Sequence, residues 1–185
     1  MDVMTVKDLM IPRQDYVILA ESSTLYEAIV ALDNLDDKVD RKTHSTIIIE
    51  DRAGKTVSRL TIFDIMRGIE PKYQEISNLN LNHFGFSNDY LESLFKDSDL
   101  WGEPLEELCS KVPHVKIKDI MLDISPSETI LIHDSLDKAL HKMILNKHRS
   151  LMVMKDNGRF AGMIRSIDLF NLIRTQVKKC NPVKS

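Results

Sequence analysis

The sequence predicts an α+β fold: two β-α-β-β-α repeats packed with pseudo-twofold symmetry, with a mostly helical insert between them. Three observations predict it. Val6-Lys7-Asp8-Leu9-Met10 returns as Ile117-Lys118-Asp119-Ile120-Met121, and Thr24-Leu25-Tyr26-Glu27-Ala28 returns as Ser135-Leu136-Asp137-Lys138-Ala139, both at a spacing of 111 residues. Farther along, His44, Gly54 and Asp64 return as His148, Gly158 and Asp168 at a spacing of 104. A seven-residue insertion in the first copy, between Asp33 and Thr43, accounts for the change. A colinear repeat means that two units share the task of burying apolar faces that one could not bury alone. The boundaries that follow are 1–70 for the first repeat, 71–113 for the insert and 114–185 for the second repeat.

Each copy reads in the same order. A short extended stretch comes first, Tyr16 to Leu19 and Thr129 to Ile132. A helix follows. Thr24 is placed to cap it, with Glu27 at the capping-box spacing; Leu25, Ala28, Ile29 and Leu32 then fall on one face. In the second copy Ser135 keeps the cap, Leu136, Ala139, Leu140 and Met143 form the face, and Asp134 and Asp137 supply negative charge at the helix start. Near-continuous apolar runs, Thr46 to Ile49 and Leu151 to Met154, suit strands buried on both sides. The turns Asp51-Arg-Ala-Gly54 and Asp156-Asn-Gly158 then reverse the chain, with glycine supplying the positive φ that a tight turn needs. A second strand, Val57 to Ile62 and Phe160 to Ile164, completes each hairpin. The unit closes with a helix expected to begin at Asp64 and at Asp168, the latter carrying Leu169, Leu172, Ile173 and Val177 on one face.

The closing aspartates are where chemistry can live. A helix N-terminus offers unpaired N–H groups and partial positive charge, which suit a phosphate. A carboxylate there can accept from two vicinal hydroxyls, and Thr61, three residues before Asp64, adds a donor and acceptor on the same side. Arg165 holds the equivalent position before Asp168 and can reach a phosphate bidentately. The simpler reading is that both aspartates cap their helices.

In this order of motifs the chain resembles the CBS domain, which occurs in tandem pairs called Bateman modules. The resemblance spans residues 6–68 and 115–178. It rests on the Asp-hydrophobic-Met openers, the Thr24 and Ser135 helix starts, the Gly54 and Gly158 hairpins, and the closing aspartates. Phe160-Ala-Gly162-Met-Ile followed by Asp168 is the more typical copy. The resemblance implies an adenosine site at each Thr/Ser-x-x-Asp junction. Thr61-Ile-Phe-Asp64 keeps that pattern, whereas Arg165-Ser166-Ile-Asp168 departs from it at the first position. The base would lie against the strand entries His44-Ser45-Thr46 and His148-Arg149-Ser150. It would also approach the first strand, where Thr129 matches the common threonine and Ile18 does not. The residues implied to hold the nucleotide are therefore Thr61, Asp64, Thr129, Ser150, Arg165, Ser166 and Asp168. With a different gap in each site, one occupied site is as consistent with the sequence as two.

Other function classes find little support. With 25 Lys and Arg against 28 Asp and Glu, the net charge of −3 gives no field for nucleic acid or anionic membrane. No apolar run approaches the roughly 18 residues that span a bilayer. Cys109 and Cys180 stand alone, outside metal or redox spacing, and fit a reducing cytoplasm. His44, His83, His114, His133, His141 and His148 form no zinc motif. No Gly-x-Ser-x-Gly or phosphate-cradling glycine loop is present, and no nucleophile–base pair points to an enzyme. In the insert, Tyr90, Leu91, Leu94 and Phe95 suggest one short helix, and Leu105, Leu108, Cys109 and Val112 another starting at Pro104. Phe84, Phe86, Phe95 and Trp101 concentrate there, which suits docking onto the module itself, a partner face or a lid. The expectation is a soluble, cytoplasmic, non-enzymatic homodimer. It holds no tightly bound cofactor, binds a regulatory adenine nucleotide in the cleft between its repeats and acts on an effector protein that the sequence does not name. The alternative is a homodimeric interaction module with vestigial nucleotide sites.

Overall fold

The computed structural model describes residues 4–36, 46–70, 107 and 110–180. His44, Ser45 and both helices expected in the insert up to Leu105 lie outside them. Residues 110–111 are helical and run into a 3-10 turn at Val112–His114.

The elements follow the expected order. In the first repeat they are β1 (Ile11–Pro12), β2 (Val17–Ala20), α1 (Leu25–Asp36), β3 (Thr46–Glu50), β4 (Thr56–Thr61) and α2 (Ile62–Ile69). The second repeat has α3 (Ile117–Ile120), β5 (Thr129–Leu131), α4 (Leu136–Asn146), β6 (Ser150–Met154), β7 (Phe160–Arg165) and α5 (Ser166–Cys180). β2, β3 and β4 form one sheet in that order; the other runs β1-β7-β6-β5. β5 and β6 are parallel, and β6 and β7 form an antiparallel hairpin with Ala161 as an extra residue opposite the Val153–Met154 step. Ile47, Ile48 and Ile49 of β3 and Leu151, Met152 and Val153 of β6 are fully buried, as their apolar runs demand of central strands.

The capping chemistry matches the sequence at α1 and α4. The Thr24 N–H donates to Glu27 Oε2 at 2.6 Å, and the Glu27 N–H returns a bond to Thr24 Oγ1 at 3.2 Å. Ser135 Oγ accepts from the Lys138 N–H. The closing helices differ from expectation. They begin at Ile62 and Ser166, two residues before the aspartates, so Asp64 and Asp168 are the third helical residues and not the first. At α2 the reason is local: Thr61 takes the cap and Asp64 completes a capping box from inside the helix.

The chain divides into two compact units that do not follow its linear order. Unit 1 comprises Met1–Tyr16, the hairpin tip Glu50–Ser58 and Asp123–Ser185; unit 2 comprises Val17–Ile49 and Arg59–Leu122. In unit 1, β1 pairs with β7, and Val6 is fully buried in a core with Ile130, Ala139, Met143, Leu151, Val153, Ile164 and Leu169. The Val6 N–H donates to Asp134 O at 2.9 Å and the Lys7 N–H to Ile132 O at 3.1 Å. In unit 2 the repeat-equivalent bonds recur: Ile117 N–H to Ser23 O at 2.9 Å, Lys118 N–H to Glu21 O at 3.2 Å. Each repeat's opening segment thus completes the core of the other. The exchange extends to one hairpin tip, where buried Thr56 accepts from the Phe160 N–H at 2.9 Å through Oγ1 and so satisfies both groups.

One apolar face needs correction. Leu169 shares one face of α5 with Ile173 and Val177 by spacing, but they are exposed and it is buried in the unit 1 core. The exposed stripe consists of Ile167, Phe170, Ile173 and Val177, and Leu169 lies at the edge where it turns into the core.

Candidate functional site

In unit 1 the sheet places four of the sequence-nominated residues at one end. β5 and β6 run parallel, so Thr129 and Ser150 both lie at strand starts, and Ser150 is the direct partner of Arg165 at the end of β7. Ser166 opens α5 and is exposed; its N–H donates to Arg149 O at 2.9 Å. Asp168 follows one residue after Ile167, on the first turn of α5. Its carboxylate receives Arg165 as a fork, Nε to Oδ2 at 2.6 Å and Nη2 to Oδ1 at 2.7 Å. Both side chains are half-buried, 28% exposed for Arg165 and 19% for Asp168. Two of the five guanidinium donors are thereby used. The loop before β5 is held by Lys142, whose Nζ donates to Pro126 O at 2.7 Å and to Thr129 O at 2.6 Å. Thr129 Oγ1 donates to Pro126 O at 3.3 Å, and His148 Nε2 lies 3.2 Å from Ser127 Oγ.

Sequence reading missed Tyr16 here. Its ring is buried and meets Phe160 edge-on, centroids 5.5 Å apart at 89°. Burial pushes its hydroxyl up to about 12, with Arg165 opposing the shift and Asp168 adding to it. The Tyr16 hydroxyl is thus within electrostatic reach of the Arg165–Asp168 pair. Tyr16 was read only as the start of a strand, and no spacing signal links it to residues some 150 positions later.

In unit 2 the corresponding junction joins β4 to α2. Asp64 Oδ2 accepts from the Thr61 N–H at 2.8 Å and from Thr61 Oγ1 at 2.6 Å. Asp64 Oδ1 accepts from Arg67 Nη2 at 2.5 Å. The aspartate is 15% exposed and Arg67 23%. Arg67 was also missed, although its position three residues after Asp64 is a helical pairing distance. The two junctions therefore use one device with opposite polarity. Asp64 takes its arginine from the turn after it, and Asp168 from the strand before it. Where the threonine is kept, the arginine stands three residues after the aspartate; where arginine replaces threonine, it stands three residues before. Both are strand-to-helix junctions with a carboxylate held in place and partly exposed. Such a carboxylate can accept from hydroxyls, with helix N–H groups and a guanidinium beside it for an anionic group.

The family model for the CBS domain matches residues 117–175. The chain's second repeat thus matches the CBS domain. The structure of a CBS domain-containing protein of unknown function from Bacillus anthracis str. Ames Ancestor is similar over 93% of this chain and 94% of its own, with a TM-score of 0.63 and 19% identity. The structure of CBSX2 in complex with AMP is similar over 94% and 98%, with a TM-score of 0.56 and 18% identity. The cytosolic domain of the Mg2+ channel MgtE in complex with ATP covers 89% of this chain, which spans 46% of that one, with a TM-score of 0.55 and 16% identity. At these identities the likeness shows the fold, and the fold is that of CBS pairs. No curated relative matches the sequence. Among the described residues no helix is long and apolar enough to cross a membrane, and no group of His, Cys, Asp and Glu is arranged to hold a metal ion.

Proposed function

We propose that this protein is a regulatory module that senses an adenine nucleotide. The observation that carries the reading is the pair of junctions, Thr61–Asp64 and Arg165–Asp168. Each presents a positioned carboxylate at the start of a helix that follows a strand. In the proposal Asp64 and Asp168 accept from ribose hydroxyls, Thr61 supports the first site, and Arg165 turns its remaining donors to the phosphate at the second. Thr129, Ser150 and Ser166, at the same end of the sheet as Arg165, offer backbone and hydroxyl groups to the ligand. AMP and ATP in the complexes of CBSX2 and MgtE support this ligand class for the fold.

Sensing then works by population shift. A nucleotide that contacts Asp64 or Asp168 better in one arrangement than in another favours that arrangement, by no more than the difference in affinity. The readout surface we propose is apolar and helical. Phe63 of α2 is 76% exposed and Phe170 of α5 56% exposed, with Ile167, Ile173 and Val177 along the same helix as Phe170. Exposed apolar stripes of this kind mark association surfaces, and a twofold homodimer is the proposed occupant, with an effector protein as the recipient of the signal.

One observation favours a second reading. Asp64 is already satisfied by Thr61 and Arg67, and Asp168 by Arg165, so both carboxylates are complete as structural devices without a ligand. On that reading the chain is a homodimeric interaction module with vestigial sites. Thermal unfolding with adenosine, AMP, ADP and ATP separates the two. A ligand at 100 times its dissociation constant adds about 2.7 kcal/mol to stability, whereas a module with vestigial sites shows the same midpoint throughout the panel.

A further inference from the structure

At the end of β7 away from Asp168, unit 1 carries an open pocket of about 250 Å3 lined by Arg13, Glu50, Gly54, Lys155, Arg159 and Phe160, with Lys155 and Arg159 exposed. With about 3.3 Å of rise per strand residue, it lies roughly 15 Å along β7 from the Arg165–Asp168 pair. Its charges do not balance. Three cations face one carboxylate, and that carboxylate is committed: Arg13 forks onto Glu50 through both terminal nitrogens, Nη2 to Oε2 at 3.0 Å. Lys155 and Arg159 remain. Among the described residues the Arg159 guanidinium donates to the Ala53 carbonyl alone, at 3.5 Å, and Lys155 Nζ makes no hydrogen bond or ion pair. Neither forms an ion pair with a carboxylate among the described residues. Asp51 Oδ1 accepts from the backbone N–H groups of Ala53 and Lys55, and Asp156 lies on the exposed surface 3.9 Å from His133.

The cavity wall is built from two turns. Gly54 and Gly158 hold φ of 74° and 75°, which fixes both hairpin tips without side chains. Fully buried Phe160 closes the floor. The volume is below the 300–1,000 Å3 usual for a whole small ligand and corresponds to roughly eight waters at about 30 Å3 each. That suits a charged end of a ligand.

We propose that this cavity is an anion site separate from the nucleotide junctions. It takes the dianionic phosphate of a phosphate monoester between Lys155 and Arg159, whose two positive charges match it, while the Arg13–Glu50 pair holds the opposite wall. The site does not depend on the nucleotide reading.

The test follows backbone amide resonances during titration with potassium phosphate and with glycerol 3-phosphate at constant ionic strength. The expected result is saturable shifts at Gly54, Gly158 and Phe160 with either probe. Lys155→Ala/Arg159→Ala should weaken them at least tenfold while the remaining spectrum stays folded, and Asp168→Ala should leave them unchanged. Shifts that never saturate, that potassium chloride reproduces, or that survive in the double variant overturn the proposal. So does their loss in Asp168→Ala, which would assign the response to the other end of β7.

Discussion

The carbonyl oxygen of Ile11 occupies the space that a Cβ on Gly162 would fill. β1 and β7 pair there, Pro12 opposite Gly162 and Ile11 opposite Met163, and the missing side chain is what lets the two backbones meet. Gly162→Ala drives a methyl into a backbone atom, which cannot rotate away. It should cost at least the 1–3 kcal/mol typical of overpacking. Gly68→Ala is the contrast. Its Cβ would meet the end of the Ile120 side chain at 2.8 Å, which can move, and alanine in a helix interior regains up to about 1 kcal/mol over glycine. Urea unfolding of both variants should rank Gly162→Ala as the more damaging.

The exchange of opening segments predicts that damage appears far from its site in sequence. Val6 and Ile117 are fully buried. Ile117→Ala should cost about 2–5 kcal/mol. Val6→Ala, which removes two methyl groups, should cost about 2 kcal/mol before any cavity contribution. Hydrogen exchange is the discriminating measurement. Val6→Ala should deprotect the amides of Leu151 and Val153 in β6, more than 140 residues along the chain, because they share one core.

Tyr16 gives a pH dependence with a definite sign. Its folded value of about 12 lies above the ordinary tyrosine value of 10, so the folded state holds the proton more tightly than the unfolded chain. The resulting stability is fully present below pH 10 and is lost as pH rises toward 12, by about 3 kcal/mol for a two-unit shift. Ultraviolet titration should show one tyrosine ionising later than ordinary ones. In Tyr16→Phe the loss of stability between pH 10 and 12 should be correspondingly shallower.

The exposed stripe on α5 predicts an assembly. Phe170→Glu places a charge among Ile167, Ile173 and Val177 without touching the buried face that carries Leu169. Light scattering at micromolar concentration should report a dimer for the parent chain and a monomer for this variant. A parent chain that runs as a monomer contradicts the homodimer proposal.

Local signals were legible in the sequence. The repeat, the Thr24–Glu27 capping box, the glycine turns and the buried runs of β3 and β6 depend on neighbours within a few residues, and each is where its spacing put it. What was not legible is long-range. Nothing in Ile11–Pro12 marks a strand, since two residues carry no period, and its partner β7 is some 150 residues away. Tyr16 becomes a neighbour of Arg165 only through that pairing. The junctions were legible in part. Thr61-x-x-Asp64 and Arg165-x-x-Asp168 were recognised as units, but the first aspartate works inside its helix because Thr61 takes the cap. Arg67 was overlooked because its pairing is helical rather than part of the strand-to-helix motif. Leu169 was grouped with the exposed Ile173 and Val177 because a helix that closes a repeat has apolar residues on both sides, and spacing alone does not say which side the core takes.

In the proposed function Asp64 and Asp168 bind a nucleotide in addition to holding their own junctions. Calorimetric titration of adenosine, AMP and ATP into the parent chain, Asp64→Ala and Asp168→Ala tests it most directly, with circular dichroism confirming that each variant is folded. Losing a hydrogen-bonded carboxylate costs about 1.5–3 kcal/mol, so each variant should lose roughly tenfold to a hundredfold in affinity at its own site. Arg165→Ala should weaken AMP and ATP more than adenosine. Parent-like affinity in both aspartate variants, or no binding of any of the three ligands to the parent chain, contradicts the account.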